Sequence, residues 1–156
     1  GPQISDLLDS TITFGNFILQ PGFYDEVEIS VKGLKEDADG IPVFYMTGTY
    51  TNGDATTIPV IVEVNNDIVF KTEKDSVEVT EDNIDVTSYI QIYLDELLAD
   101  VSPSEMDNAK LTDGVILISE SSNRDIYKSI FRNLVKIHKC KYKHTKKSKY
   151  NKKKKH

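Results

Sequence analysis

Tryptophan is absent from this 156-residue chain, cysteine occurs once, at Cys140, and the three histidines are His138, His144 and His156. A single cysteine excludes an intrachain disulfide, so packing and hydrogen bonds must hold the core; a reducing compartment or a bridge-free secreted protein fits equally. The body has no histidine to serve as a general base near neutral pH. No apolar run approaches the ~20 residues that a membrane helix needs, so no span is expected. No secretory signal is legible either, and the expected location is the cytoplasm or a virion. Gly1-Pro2 has the look of a cleavage scar, which puts the expected native start near Gln3. The motifs of nucleotide binding, serine hydrolysis and zinc peptidase chemistry (P-loop, GxGxxG, GxSxG, HExxH) are all missing.

Carboxylates are also missing from one part of the chain: none follows Asp125. Residues 1–123 carry 24 acidic and 5 basic side chains, a net of −19, whereas residues 124–156 carry 1 acidic and 14 basic ones, a net of +13. The modest overall charge of −6 therefore hides two opposed parts. Such a division points to a basic limb that meets a polyanion, or that meets the protein's own acidic body.

Residues 11–20 (TITFGNFILQ) are rich in β-branched and aromatic types and stop at Pro21-Gly22, which predicts a strand closed by a turn. Residues 23–31 alternate, with Phe23, Val27, Ile29 and Val31 expected on one face and Tyr24, Glu26, Glu28 and Ser30 on the other. A loop is expected over 34–40 and a third strand over 42–51, with Asn52-Gly53 predicting a type I′ hairpin. Residues 57–64 should turn Ile58, Val60, Val62 and Val64 inward; further strands are expected over 67–72 and 76–80. These segments read as an antiparallel meander, a small barrel or sandwich.

Beyond residue 80 the period changes. Residues 86–99 fit a helix, while the alternation over 86–94 fits a strand entering a short helix. Ser102-Pro103-Ser104-Glu105 has the form of a capping box with proline at the first helical position, opening a helix that ends near Lys110. Asp113-Gly114 turns into Val115-Ile116-Leu117-Ile118, a continuous apolar run that predicts a buried strand. Ser122-Asn123-Arg124-Asp125 resembles a second capping box, and its helix is expected to reach about residue 140. The expected fold class is thus α+β: an antiparallel β-meander, short helices, one buried strand, and a basic amphipathic helix with a lysine-rich tail. The expected boundaries are 3–121 for the acidic β-rich domain, 122–140 for the terminal helix packed on it and 141–156 for the tail.

At 100° per residue, Ile126, Tyr127, Ile130, Phe131, Leu134, Val135 and Ile137 share one half of that helix, and Lys128, Arg132, Lys136 and Lys139 lie on the other, with Arg124 on its margin. The cationic series continues as Lys141, Lys143, Lys146, Lys147, Lys149, Lys152, Lys153, Lys154 and Lys155. Tyr142 and Tyr150 interleave with it and are of a type that stacks on unpaired bases. Lysine is a flexible point charge, suited to phosphate contacts that are blind to sequence. The plain alternatives are a solvated tail and an ordinary surface helix.

Other constellations are weaker. Placing Gly40 at the sixth position of a calcium loop puts Lys35 first and Met46 twelfth, where acidic ligands are required, so Asp37 and Asp39 read as an exposed turn. His138, Cys140 and His144 are zinc-ligand types, but no second cysteine exists and eleven lysines between 136 and 156 repel a cation. No cofactor or metal is expected. The reading that follows is a non-enzymatic protein whose basic arm binds nucleic acid and whose acidic β-domain makes protein contacts or self-associates. Its rival is a structural or adaptor protein, such as a virion or assembly component, whose arm docks on an acidic protein surface.

Overall fold

The computed structural model describes residues 4–8, 18–35, 40–81, 86–136 and 138–144. Its strands are β1 (Gly22–Gly33), β2 (Phe44–Thr51), β3 (Thr57–Val64), β4 (Ile68–Val79), β5 (Val86–Ile92), β6 (Leu111–Thr112), β7 (Val115–Ile118) and β8 (His138–His144). Two helices, α1 (Pro103–Asp107) and α2 (Arg124–Leu134), and a 3-10 turn at Leu94–Glu96 complete it. Among the described residues the strands form three sheets, ordered β1-β4, β2-β3-β7-β6 and β5-β8, and none closes into a barrel. The β-rich α+β character is as expected; the barrel and the simple meander are not. The strand expected over 11–20 lies mostly outside the described residues.

The meander fails because β1 pairs with β4 rather than with β2. Gly22 lies opposite Val79 and Gly33 opposite Ile68, so the β2–β3 hairpin is inserted between two long partners. The segments expected as two strands, 67–72 and 76–80, are one twelve-residue strand. Within it Ser76 adopts φ 55°, and the ladder skips the Asp25–Ser76 pair without a change of register. A left-handed residue interrupts the two-residue repeat of a strand. The inward positions accordingly switch from Ile68, Phe70 and Thr72 to Val77 and Val79, and in β1 from Val27, Ile29 and Val31 to Tyr24. Tyr24 therefore packs against the small cluster of Val27, Val77 and Val79, while Phe23 is 67 % exposed, the reverse of the expected faces.

The main core lies where α2 covers the four-stranded sheet. β2 and β3 contribute Phe44, Val62 and Val64, β7 contributes Ile116 and Ile118, and α2 contributes Ile126, Tyr127, Ile130 and Leu134. Leu97 and Met106 close it from the segment before β6. Each such side chain, fully removed from water, is worth about 1.5–3 kcal/mol. β7 is the expected buried strand, and it runs parallel to β3, with Val60 opposite Ile116 and Val62 opposite Ile118. A parallel pair needs a long crossover; here β4, β5, the 3-10 turn, α1 and β6 supply it.

Turn chemistry differs from expectation in an instructive way. At Asn52-Gly53 there is no two-residue turn. Asn52 N–H donates to Thr56 O and Ala55 N–H to Asn52 O, both at 3.0 Å, which makes a three-residue loop with Ala55 in the left-handed position at φ 60°. The Asn52 side chain fixes it by accepting from Asp54 N at 3.1 Å and Thr56 N at 2.8 Å. The tight turn with two left-handed residues occurs instead at Asp113 and Gly114, between β6 and β7.

Residues 86–92 form a strand followed by the short 3-10 turn, the second of the two sequence expectations. The Ser102 box forms: Ser102 N–H and Oγ both reach Glu105 Oε2, at 2.8 and 2.7 Å, and Glu105 N–H donates to Ser102 Oγ at 3.2 Å. Its helix stops at Asp107, one turn short of Lys110.

Candidate nucleic-acid interface

The second box, at Ser122, does not form. Asn123 holds the N-cap position of α2 at φ 51° with no side-chain cap. Its amide is used elsewhere. Asn123 Oδ1 accepts from Lys110 N–H at 2.8 Å, and Nδ2 donates to Lys110 O at 2.9 Å and to Leu117 O at 2.8 Å. One side chain thereby ties the start of α2 to the segment before β6 and to the body of β7. Farther along, the buried Asn133 donates from Nδ2 to Leu97 O at 3.2 Å, which joins α2 to the turn after the 3-10 segment. These two amides and the apolar face set the rotation of the helix, and with it the direction of its basic side. Tyr127 and Phe131 stack at 6.1 Å between ring centroids, with planes 3° apart.

Arg124, Lys128, Arg132 and Lys136 recur every four residues and are all exposed. Two have internal partners: Lys128 Nζ lies 3.1 Å from Asp125 Oδ1, and Arg132 Nη2 lies 3.2 Å from Asp100 Oδ2. Both pairs are more than half exposed, and such pairs contribute only about 0–1 kcal/mol. Among the described residues no carboxylate lies within ion-pair distance of Arg124 or Lys136.

α2 ends at Leu134, six residues before the expected end near 140, and the chain turns through Val135 and Lys136 into a strand. The reason is periodic. From His138 to His144 the sequence is HKCKYKH, with lysine at every second position. That is the repeat of a strand, whereas Lys128, Arg132, Lys136 and Lys139 follow the repeat of a helix. β8 pairs antiparallel with β5, which places Lys139 opposite Gln91, Lys141 opposite Tyr89, Lys143 opposite Thr87 and Tyr142 opposite Ser88. Neither strand of this ribbon contains a carboxylate. Positions two apart on a strand stand about 6.7 Å apart, of the order of the separation between successive phosphates of a nucleic-acid strand. Lys146, Lys147, Lys149, Tyr150, Lys152, Lys153, Lys154 and Lys155 lie outside the described residues.

Carboxylates of the body meet across the β1–β4 ribbon. Glu28 pairs in register with Glu73 and Glu26 with Asp75. The carboxylates of Glu26, Glu28 and Glu73 come within 4.8 Å of one another, all exposed, and Lys71 Nζ sits 3.1 Å from Glu28 Oε2. Asp37 and Asp39 are outside the described residues.

Two features escape a reading of the sequence alone. One is an apolar cleft of ≈220 Å³ beside β2, lined by Met46, Gly48, Tyr50, Leu98, Val101 and Met106 among others. The other lies at its rim, where the Tyr50 hydroxyl donates to Asp107 Oδ1 at 2.8 Å and stands 3.2 Å from Pro103 O. The hydrogen bond to Asp107, with lesser help from desolvation and the Asp107 charge, holds the Tyr50 phenol above its ordinary pKa. Glu105 is held below the ordinary carboxylate range, first by the Ser102 N–H and then by its hydroxyl; its role is to cap α1. Only long-range contact could have revealed the cleft, since Tyr50 and Asp107 are 57 residues apart.

Comparison with known protein families, characterised proteins and solved structures yields no match, so sequence and geometry alone carry the functional argument.

Proposed function

We propose that this chain is a non-enzymatic protein that binds nucleic acid through phosphates, without sequence preference, by way of its basic C-terminal limb. One observation carries the reading: an exposed cationic stripe on α2 leads into a strand with lysine at every second position, and no carboxylate follows Asp125. Arg124 and Lys136 are the first candidates for phosphate contact. Lys128 and Arg132 can exchange a weak, solvated carboxylate for a phosphate at little cost. Lys139, Lys141 and Lys143 continue the cationic series, and Lys146 to Lys155 add electrostatic reach. A two-stranded ribbon is also an element that the major groove of a duplex admits, while Tyr142 and Tyr150 are suited to stacking on single strands. The acidic body is repelled by the same backbone, so the limb faces the ligand and the β-domain is left to protein contacts.

The test is fluorescence anisotropy with labelled single-stranded and duplex oligonucleotides. The variant R124A/K136A is expected to bind at least about tenfold more weakly than the parent chain, a loss of about 1.4 kcal/mol. Removal of residues 145–156 is expected to cost more. Equal affinity of all three proteins at low salt contradicts the proposal.

A second reading, a structural or adaptor protein whose limb docks on an acidic protein surface, draws on the Arg132–Asp100 pair, in which limb and body already meet. It requires oligomers that dissociate in salt without nucleic acid.

A further inference from the structure

β2 is the terminal strand of the four-stranded sheet, and among the described residues nothing pairs with its outer side. Sheets guard such edges with lysine, proline, a bulge or a covering element. Among the described residues β2 has none of these: Phe44–Thr51 contains no charged residue and no proline, and its register with β3 runs unbroken from Phe44–Val64 to Thr51–Thr57. The uncharged stretch extends from Gly40 to Gly53, within a body whose net charge is −19. Thr47, Gly48 and Thr49, at the middle of the edge, are exposed. The apolar cleft adjoins the same strand, and a Cβ built on Gly48 would meet nothing within 4 Å, so the space above the strand there is open.

We propose that β2 pairs antiparallel with β2 of a second copy of this chain about a two-fold axis, joining two four-stranded sheets into one. The charge distribution selects this occupant. Two bodies of net charge −19 repel each other wherever carboxylates face, and β2 is a long, regular edge at which they can meet without carboxylates in the contact. A two-fold axis through the middle of the strand brings Thr47 of one copy opposite Thr49 of the other, so the same neutral groups meet their own kind and the assembly closes at two. The surrounding charge also sets the salt response. Repulsion between the remaining carboxylates opposes the pairing and is screened by salt, so this association tightens as salt rises. Docking of the basic limb on an acidic body would respond in the opposite sense. The inference does not depend on nucleic-acid binding.

The test is sedimentation equilibrium of the nucleic-acid-free full chain at about 0.05 and 0.5 M salt, with the variant T47K/T49K, whose two positions are exposed. The expected result is a monomer–dimer equilibrium that strengthens with salt in the parent chain. The variant should bind its own copy at least about tenfold more weakly, with its thermal midpoint in dilute solution unchanged. A parent chain that stays monomeric in both salts overturns the proposal, as does a dimer that dissolves in salt or one that T47K/T49K leaves intact. Should the variant fail to fold, the salt response of the parent chain alone decides.

Discussion

Replacing Asn123 by alanine tests how α2 is held. Asn123 makes three side-chain hydrogen bonds at 2.8–2.9 Å and occupies a left-handed backbone position at φ 51°. The two bonds to Lys110 lie in an exposed segment where water can replace them, and are taken as about 0.5 kcal/mol each, whereas the part-buried bond to Leu117 O counts about 1 kcal/mol. Alanine in the left-handed region costs about 1 kcal/mol more. The sum predicts a loss of about 3 kcal/mol for N123A. Glycine tolerates the backbone conformation, so N123G should lose about 2 kcal/mol, all of it from the bonds. With a slope of about 2 kcal/mol/M in urea, the midpoints should fall by about 1.5 and 1 M respectively. Equilibrium urea unfolding followed by tyrosine fluorescence and circular dichroism measures both. A midpoint for N123A within about 0.25 M of the parent chain, equivalent to 0.5 kcal/mol, would refute the bracket role. Equal losses for N123A and N123G would refute the backbone part of the reasoning.

Three further outcomes follow from the same geometry. A55G should stabilise the chain by about 0.5–1 kcal/mol, because it relieves a left-handed alanine in the β2–β3 loop; a neutral or negative change in the urea midpoint contradicts it. I130A, at a position with no exposed surface, should cost about 2–5 kcal/mol by the same measure, and a loss below 1 kcal/mol would show that α2 is not docked as described. In absorbance titrations at alkaline pH, Tyr50 should ionise above its ordinary value, and D107N should bring it down. The sign follows from linkage: a raised folded pKa means a contribution to stability that is complete below the unfolded value of about 10 and is lost as pH rises through the folded value. A D107N titration that superimposes on the parent curve rules out the Tyr50–Asp107 bond.

The sequence carried much of the local structure because local signals decide it. The inward alternation of β3, the apolar run of β7, the Ser102 box and the apolar face of α2 all depend on neighbours a few residues away. Pairing does not. β1 and β4 are separated by the β2–β3 hairpin, and no residue in either strand encodes the choice of partner beyond a compatible length. The reversal at Asp25–Ser76 also leaves no mark, since serine is an ordinary strand residue until its φ turns positive. Asn123 misled for a chemical reason: a side chain able to cap a helix is equally able to bridge two loops, and long-range geometry chose the bridge. At the basic limb the residue types were legible, but the element was not. The helical repeat of basic residues runs on to Lys139, yet the alternation HKCKYKH that contains this residue is that of a strand. The exposed stripe at Arg124, Lys128, Arg132 and Lys136 was legible; the carboxylate partners of Lys128 and Arg132 were not, and Asp100 lies 32 residues from Arg132.

The measurement that bears most directly on the cationic limb is the salt dependence of its affinity for a labelled single-stranded oligonucleotide, taken on the full chain. If about six to eight phosphates are neutralised, log K should fall against log salt with a slope of about −4 to −6, and R124A/K136A should reduce that slope by more than one. No binding at low salt, or an affinity indifferent to salt, would contradict a limb built for a polyanion.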